Sequence, residues 1–96
     1  MKKMNNWILN EDTISKKINN FTIKITVLKN DINVFYRLEV YKNNKRELTF
    51  NFYSLEDSIN FSEETISNCI ATKEILELYE EQFERSKFKP LVKSKR

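Results

Sequence analysis

Six glutamates, Glu63, Glu64, Glu74, Glu77, Glu81 and Glu84, recur at spacings dominated by one, three, four and seven residues. On a helix such spacings gather carboxylates on one side. Rows of carboxylates can do acid–base chemistry or meet a basic surface. Acid–base work needs a carboxylate set in an apolar pocket that moves its pKa, and this run reads as a solvated helix surface. The absences in the composition point the same way. There is no histidine, so the commonest general base and metal ligand is missing. There is no glycine, which excludes phosphate-cradling loops, dinucleotide turns and nucleophile elbows. The expectation is therefore a protein that is not an enzyme and has no catalytic residue, metal site or cofactor.

What remains for the acidic residues is electrostatics. Residues 54–84 hold nine of the fourteen acidic residues and one basic residue, Lys73, a formal charge of −8. Residues 1–53 carry +5 and residues 85–96 carry +6. The net charge of +3 thus conceals a divided molecule. Like charges at helical spacing repel by ~0.2–0.5 kcal/mol per pair. A solvated helix face is one reading of the run; an acidic ridge that fits a basic groove on a partner is the other.

A second pattern interleaves aromatic rings with bases. Lys24, Phe35, Arg37 and Tyr41 fall on the outer positions of two expected strands, followed by Lys45 and Arg46. Single-stranded nucleic acid is bound by rings that stack bases and by cations that meet phosphates. The alternative is that Phe35, Tyr41 and Tyr53 pack on the N-terminal segment or on a second copy of the chain. The glycine-containing signature of RNA-recognition sheets is missing. Lys2-Lys3 and the tail with Lys87, Lys89 and Lys93 form a third candidate, either a solubilising terminus or a phosphate-binding tail. The lone cysteine, Cys69, reads as a buried thiol, since no base lies near it in sequence.

The elements that must position these residues follow from periodicity. Residues 21–28 and 34–41 alternate apolar and polar, as strands do. Residues 46–53 form a third strand with Leu48, Phe50 and Phe52 inward. Asn43-Asn44 is a two-residue hairpin signal, because asparagine tolerates positive φ. Residues 54–86 carry apolar residues at helical spacing. Ser54 is a good N-cap, with Glu56 and Asp57 in the first turn. Leu55, Ile59, Ser62, Ile66 and Ile70 make one seam; Ile75, Leu76, Tyr79 and Phe83 make another. The slip between them predicts a break near Ala71-Thr72, with Thr72 as a candidate cap. Phe61 falls off the first seam, so a start at residues 62–64 is an alternative. Pro90 should stop the helix and leave residues 87–96 as a basic tail. Residues 1–20 are the least readable: residues 7–9 fit a short edge strand, while Ile14 and Ile18, four apart, fit one helical turn. Trp7 is either a lid on the core or an exposed anchor for a partner.

The expected fold is α+β in one domain: a three- or four-stranded antiparallel meander with two amphipathic helices on one face. No stretch approaches the ~20 apolar residues of a membrane span. Met1-Lys2-Lys3 is not followed by the apolar run of a secretory signal, and a single cysteine suits a reducing cytoplasm.

The layout, a meander over residues 21–53 followed by acidic helices over residues 54–84, resembles small phage-encoded inhibitor proteins, among them some anti-CRISPR proteins. It shares their size, element order and charge segregation, and no motif. The resemblance implies a cytoplasmic protein in a bacterial host cell that blocks a site on a larger protein, such as a nuclease or defence complex. The bias toward Lys, Asn and Ile, which follows AT-rich codons, suits such a source. In that reading Glu63, Glu64, Glu74, Glu77, Glu81 and Glu84 steer association and Tyr41 is the anchor. The alternative is a DNA- or RNA-binding accessory protein using Lys24, Phe35, Arg37, Lys45, Arg46, Lys87, Lys89 and Lys93. A homodimer built on the exposed aromatics is the third possibility.

Overall fold

Without glycine, the chain turns mainly on asparagine. Positive φ occurs at Asn6 (66°), Glu11 (60°), Asn19 (55°), Asn43 (56°) and Asn44 (65°). Asparagine enters this left-handed region at lower cost than most residues with a Cβ, because its short amide bonds locally. The computed structural model describes the backbone of residues 6–95 and the side chains of residues 6–84.

These turns connect five strands: β1 (Ile8–Asn10), β2 (Thr13–Ile18), β3 (Phe21–Lys29), β4 (Val34–Lys42) and β5 (Lys45–Phe52). They pair in chain order as an antiparallel meander. The two-residue turn at Asn43-Asn44 is as expected. Between β3 and β4, the Asn30 side-chain oxygen accepts from the backbone N–H of Ile32 (2.9 Å) and of Asn33 (2.7 Å), which closes the loop. A register shift between Val40 and Tyr41 marks a bulge against β5, leaving Glu47 without a partner residue.

The sheet is wider than the three or four strands expected, because residues 8–18 form a hairpin rather than a helical turn. Ile14 and Ile18 are both buried on one face of β2. Separation by four satisfies a strand as well as a helix, and Lys16 between them obscured the alternation.

One face of the sheet makes the core. Ile14, Ile18, Phe21, Ile23, Ile25, Leu38, Val40 and Phe50 are buried there, and Trp7 covers one end. Trp7 is thus a core residue and not an exposed anchor. Each large apolar side chain buried this way contributes ~1.5–3 kcal/mol before chain entropy is counted.

The helices lie over this face. Helix α1 (Leu55–Asn60) is N-capped by Ser54, whose Oγ accepts from Asp57 N–H at 3.2 Å. It continues through a widened π-type turn (Phe61–Thr65) and a tight 3-10 turn (Ile66–Asn68). In the widened turn the Ile66 N–H reaches back to Phe61 O, five residues away. That extra residue rotates the face, so Phe61 and Ile66 are both buried. An unbroken helix would have put Phe61 off the seam. The fully buried Ser58 and Ser62 bond back to Leu55 O (2.7 Å) and Ser58 O (2.9 Å). The chain leaves the helix before Ile70, which is 75% exposed, and Cys69 takes the inward place instead.

Helix α2 (Thr72–Lys95) follows the predicted break. Thr72 does not cap it. The Ala71 carbonyl accepts from Glu74 N–H, the Glu74 carboxylate accepts from Ile70 N–H (2.7 Å), and Thr72 Oγ1 donates to Glu47 (3.3 Å). The helix passes through Pro90, so the boundary expected at residues 86/87 falls inside α2. Its first turns supply Ile75 and Tyr79 to the core; residues 80–84 are all exposed.

Candidate functional site

The helix layer and the open face of the sheet are the two surfaces on which the singled-out residues fall. On the helix layer, α1, the widened turn, α2 and the end of β5 border a groove of about 500 Å³. Its walls are aromatic: Phe52, Tyr53, Phe61, Tyr79 and Phe83. Asp57 and Glu64 stand among them, with Asn60, Thr65 and Gln82.

The aromatic wall is a packed unit. Phe50 and Tyr79 stack with centroids 4.1 Å apart, and Phe61 meets the Tyr79 ring edge-on at 5.5 Å. Phe52 closes the set against Phe61 (5.6 Å) and Tyr79 (5.8 Å). Such geometries add to the burial of the rings. Burial pushes the Tyr79 phenol above its ordinary pKa, and its hydroxyl lies 3.5 Å from Asn51 O. Gln82 Nε2 donates to Thr65 Oγ1 at 3.3 Å, tying α2 to the widened turn. The groove therefore has a fixed floor, while Tyr53 (81% exposed) and Phe83 (53% exposed) present ring surface to solvent.

The six acidic residues do not form one ridge. Glu63 is turned inward to the N-terminal hairpin: its Oε2 accepts from Trp7 Nε1 (2.8 Å) and from Lys16 Nζ (3.0 Å). The Trp7 bond is the main reason its pKa is lowered; burial opposes this, and Lys16 adds to it. Glu74, in the first turn of α2, is occupied by the backbone N–H of Ile70. Glu64, Glu77, Glu81 and Glu84 remain exposed along the helix layer. Glu64 borders the groove, and a neighbouring depression between the widened turn and α2 is lined by Glu64, Leu78 and Glu81 among others.

Tyr41 is not on this surface. It stands on the opposite face of the sheet, half-buried, with Lys24 Nζ 4.8 Å from its ring centroid. The acidic residues and their expected anchor thus belong to different surfaces. That face does gather Lys24, Phe35, Arg37 and Arg46, since β3, β4 and β5 are neighbours in the sheet. Lys45 sits at the β4–β5 turn, opposite Lys42. Lys2-Lys3 and the side chains of Lys87, Lys89 and Lys93 lie outside the described residues.

Sequence reasoning missed the groove. Tyr53 was expected on the outer sheet face; the strand ends at Phe52, and Tyr53 lines the groove instead. The available signal was the second helical seam. Tyr79 and Phe83 are four apart and extend beyond the length of helix a small sheet can cover. Cys69 is buried, as expected, with Sγ 3.3 Å from Thr65 O. No helix among the described residues is long and apolar enough to cross a membrane.

The chain matches no protein-family model, no curated protein and no solved structure.

Proposed function

We propose that this is a non-enzymatic interaction protein that occupies a site on a larger, basic, nucleic-acid-processing protein. The docking surface is the helix layer, and the observation that carries the reading is the groove: a rigid aromatic floor bordered by Asp57 and Glu64. An arginine or lysine of the partner laid on such rings gains a cation–π attraction of ~0.5–2 kcal/mol, and a carboxylate at the rim adds a charge-assisted hydrogen bond. Glu77, Glu81 and Glu84 extend the negative surface along α2 and steer association. Tyr79, Phe83 and Tyr53 take the anchoring role first given to Tyr41. The charge division and small α+β form resemble phage-encoded inhibitors of the anti-CRISPR type, which makes a bacterial nuclease or defence complex the class of partner.

The test is inhibition of DNA cleavage by a panel of CRISPR effectors from AT-rich bacteria, with binding followed by interferometry. The expectation is binding by at least one effector, weakened more than tenfold by D57K/E64K, with slower association for E77K/E81K. A panel without a binder would sink this class of partner. Binding indifferent to D57K/E64K would remove the groove from the account.

A further inference from the structure

We propose that the outer face of the sheet is a binding site for single-stranded nucleic acid, independent of the helix layer. Among the described residues the helices cover one face only, and the register lays out the other in rows across the strands. One row reads Lys17, Thr22, Tyr41, Arg46; the next Ser15, Lys24, Glu39, Thr49; the next Thr13, Thr26, Arg37, Asn51. Successive rows are two strand residues apart, roughly 6.8 Å. Each carries at least one cation.

The charge balance on this face is positive. Arg46 Nη1 is bound to Glu39 Oε2 at 3.1 Å, and Glu39 is the only acid in these rows. Lys17, Lys24 and Arg37 make no ion pair among the described residues. All three are exposed, so they meet a phosphate without breaking an ion pair; Lys24 gives up only its contact with the Tyr41 ring. The remaining row positions are hydroxyls and an amide, donors suited to phosphate and sugar oxygens. Ile8, the register partner of Ser15 and 67% exposed, adds one apolar side chain at the sheet edge.

Aromatic rings decide for single strands. Tyr41 and Phe35 lie six residues apart on β4, both outward and half-buried, so each ring is held by its neighbours and still shows surface. Lys24 Nζ lies over the Tyr41 ring. A base that stacks on Tyr41 takes that position, and Lys24 swings to the adjoining phosphate. Paired bases in a duplex cannot reach the ring; unpaired ones can.

The experiment is fluorescence anisotropy of labelled dT20, U20 and a 20-base-pair duplex at 50 and 150 mM salt, using the full chain. Micromolar binding to a single strand, tighter than to the duplex, is expected. The dT20 and U20 arms tell DNA from RNA. K24E and R37E should each weaken binding roughly tenfold at 50 mM salt, with the log–log salt slope falling by about 0.7 per lost contact. Y41A should weaken binding with the slope unchanged, its folding checked by circular dichroism and by Y41F. Equal affinity for duplex would overturn the proposal, as would binding unaffected by K24E/R37E or abolished by removing residues 87–96 alone. D57K/E64K, which test the groove, should leave single-strand binding no weaker, so the two proposals fail separately.

Discussion

Trp7 and Glu63 are 56 positions apart in sequence and are joined by one hydrogen bond, from the indole Nε1–H to Oε2 at 2.8 Å. The bond fastens the N-terminal hairpin to the helix layer. Lys16, whose ammonium lies 5.7 Å from the Trp7 ring centroid, closes the arrangement on the same carboxylate oxygen. A residue that the acidic pattern assigns to partner recognition is thereby a fastening of the fold.

Replacing this carboxylate tests the fastening. E63A should lower stability by about 1–2 kcal/mol and red-shift the emission of Trp7, the single tryptophan. The sign of the pH dependence follows from the lowered pKa of Glu63. Its contribution is full above the unfolded carboxylate value of roughly 4.3 and is lost as pH falls through the lower folded value. Urea midpoints of wild type and E63Q should therefore differ at pH 6 and converge toward pH 3. A constant gap across that range would mean that the charge of Glu63 contributes nothing.

Asn19 combines two roles that substitution can separate. Its φ of 55° turns the β2–β3 hairpin, and its Nδ2 donates to Ser67 O (2.8 Å) and Cys69 O (3.1 Å) at the end of the helical segment. N19A loses both the conformational tolerance and the clamp and should cost about 2–3 kcal/mol. N19G keeps the turn and loses only the clamp, so its cost should be about half. Equal urea midpoints for the two variants would deny that backbone strain matters here.

The Asn43-Asn44 turn uses the second-best residue for a left-handed pair. N44G should raise stability by about 0.5 kcal/mol, and N44V should lower it by more than 1 kcal/mol, because a β-branched residue resists positive φ. Thermal melts of the three proteins decide this.

Cys69 is 1% exposed. Burial, and then the charge of Glu74, hold its thiol above the ordinary pKa. An aromatic disulfide reagent at pH 8 should label it at least 100-fold more slowly in the native protein than in 6 M urea. Rapid native labelling would place the thiol outside the core.

The sheet and its turns were legible where each residue satisfied one pattern only. Strands β3 and β4, and β5 past the bulge at Glu47, alternate in sequence, and Asn43-Asn44 and Ser54 each carry a local signal that needs no tertiary context. The β1–β2 hairpin was obscured because Lys16 occupies a core-facing position. Its presence there makes sense only beside Glu63, a residue distant in sequence. Phe61 was misjudged for a geometric reason: a helix of constant pitch points it away from the sheet, and the π-type turn brings it back. The outer residues of β3 and β4 were gathered correctly, since strand alternation alone fixes their side, while Tyr53, expected with them, lies past the end of β5. The groove was not foreseen, because its lining comes from α1, the widened turn, α2 and the end of β5 together, and no one segment encodes it.

Among the described residues the two surfaces carry opposite charge: Asp57, Glu64, Glu77, Glu81 and Glu84 stand on the helix layer, and Lys17, Lys24 and Arg37 on the open sheet face. In dilute salt the sheet face of one molecule should therefore attract the helix layer of another. Screening at physiological ionic strength shortens the reach of that attraction to about 8 Å and keeps the molecules apart. The purified protein should accordingly be most soluble in moderate salt and turn cloudy on dialysis into water.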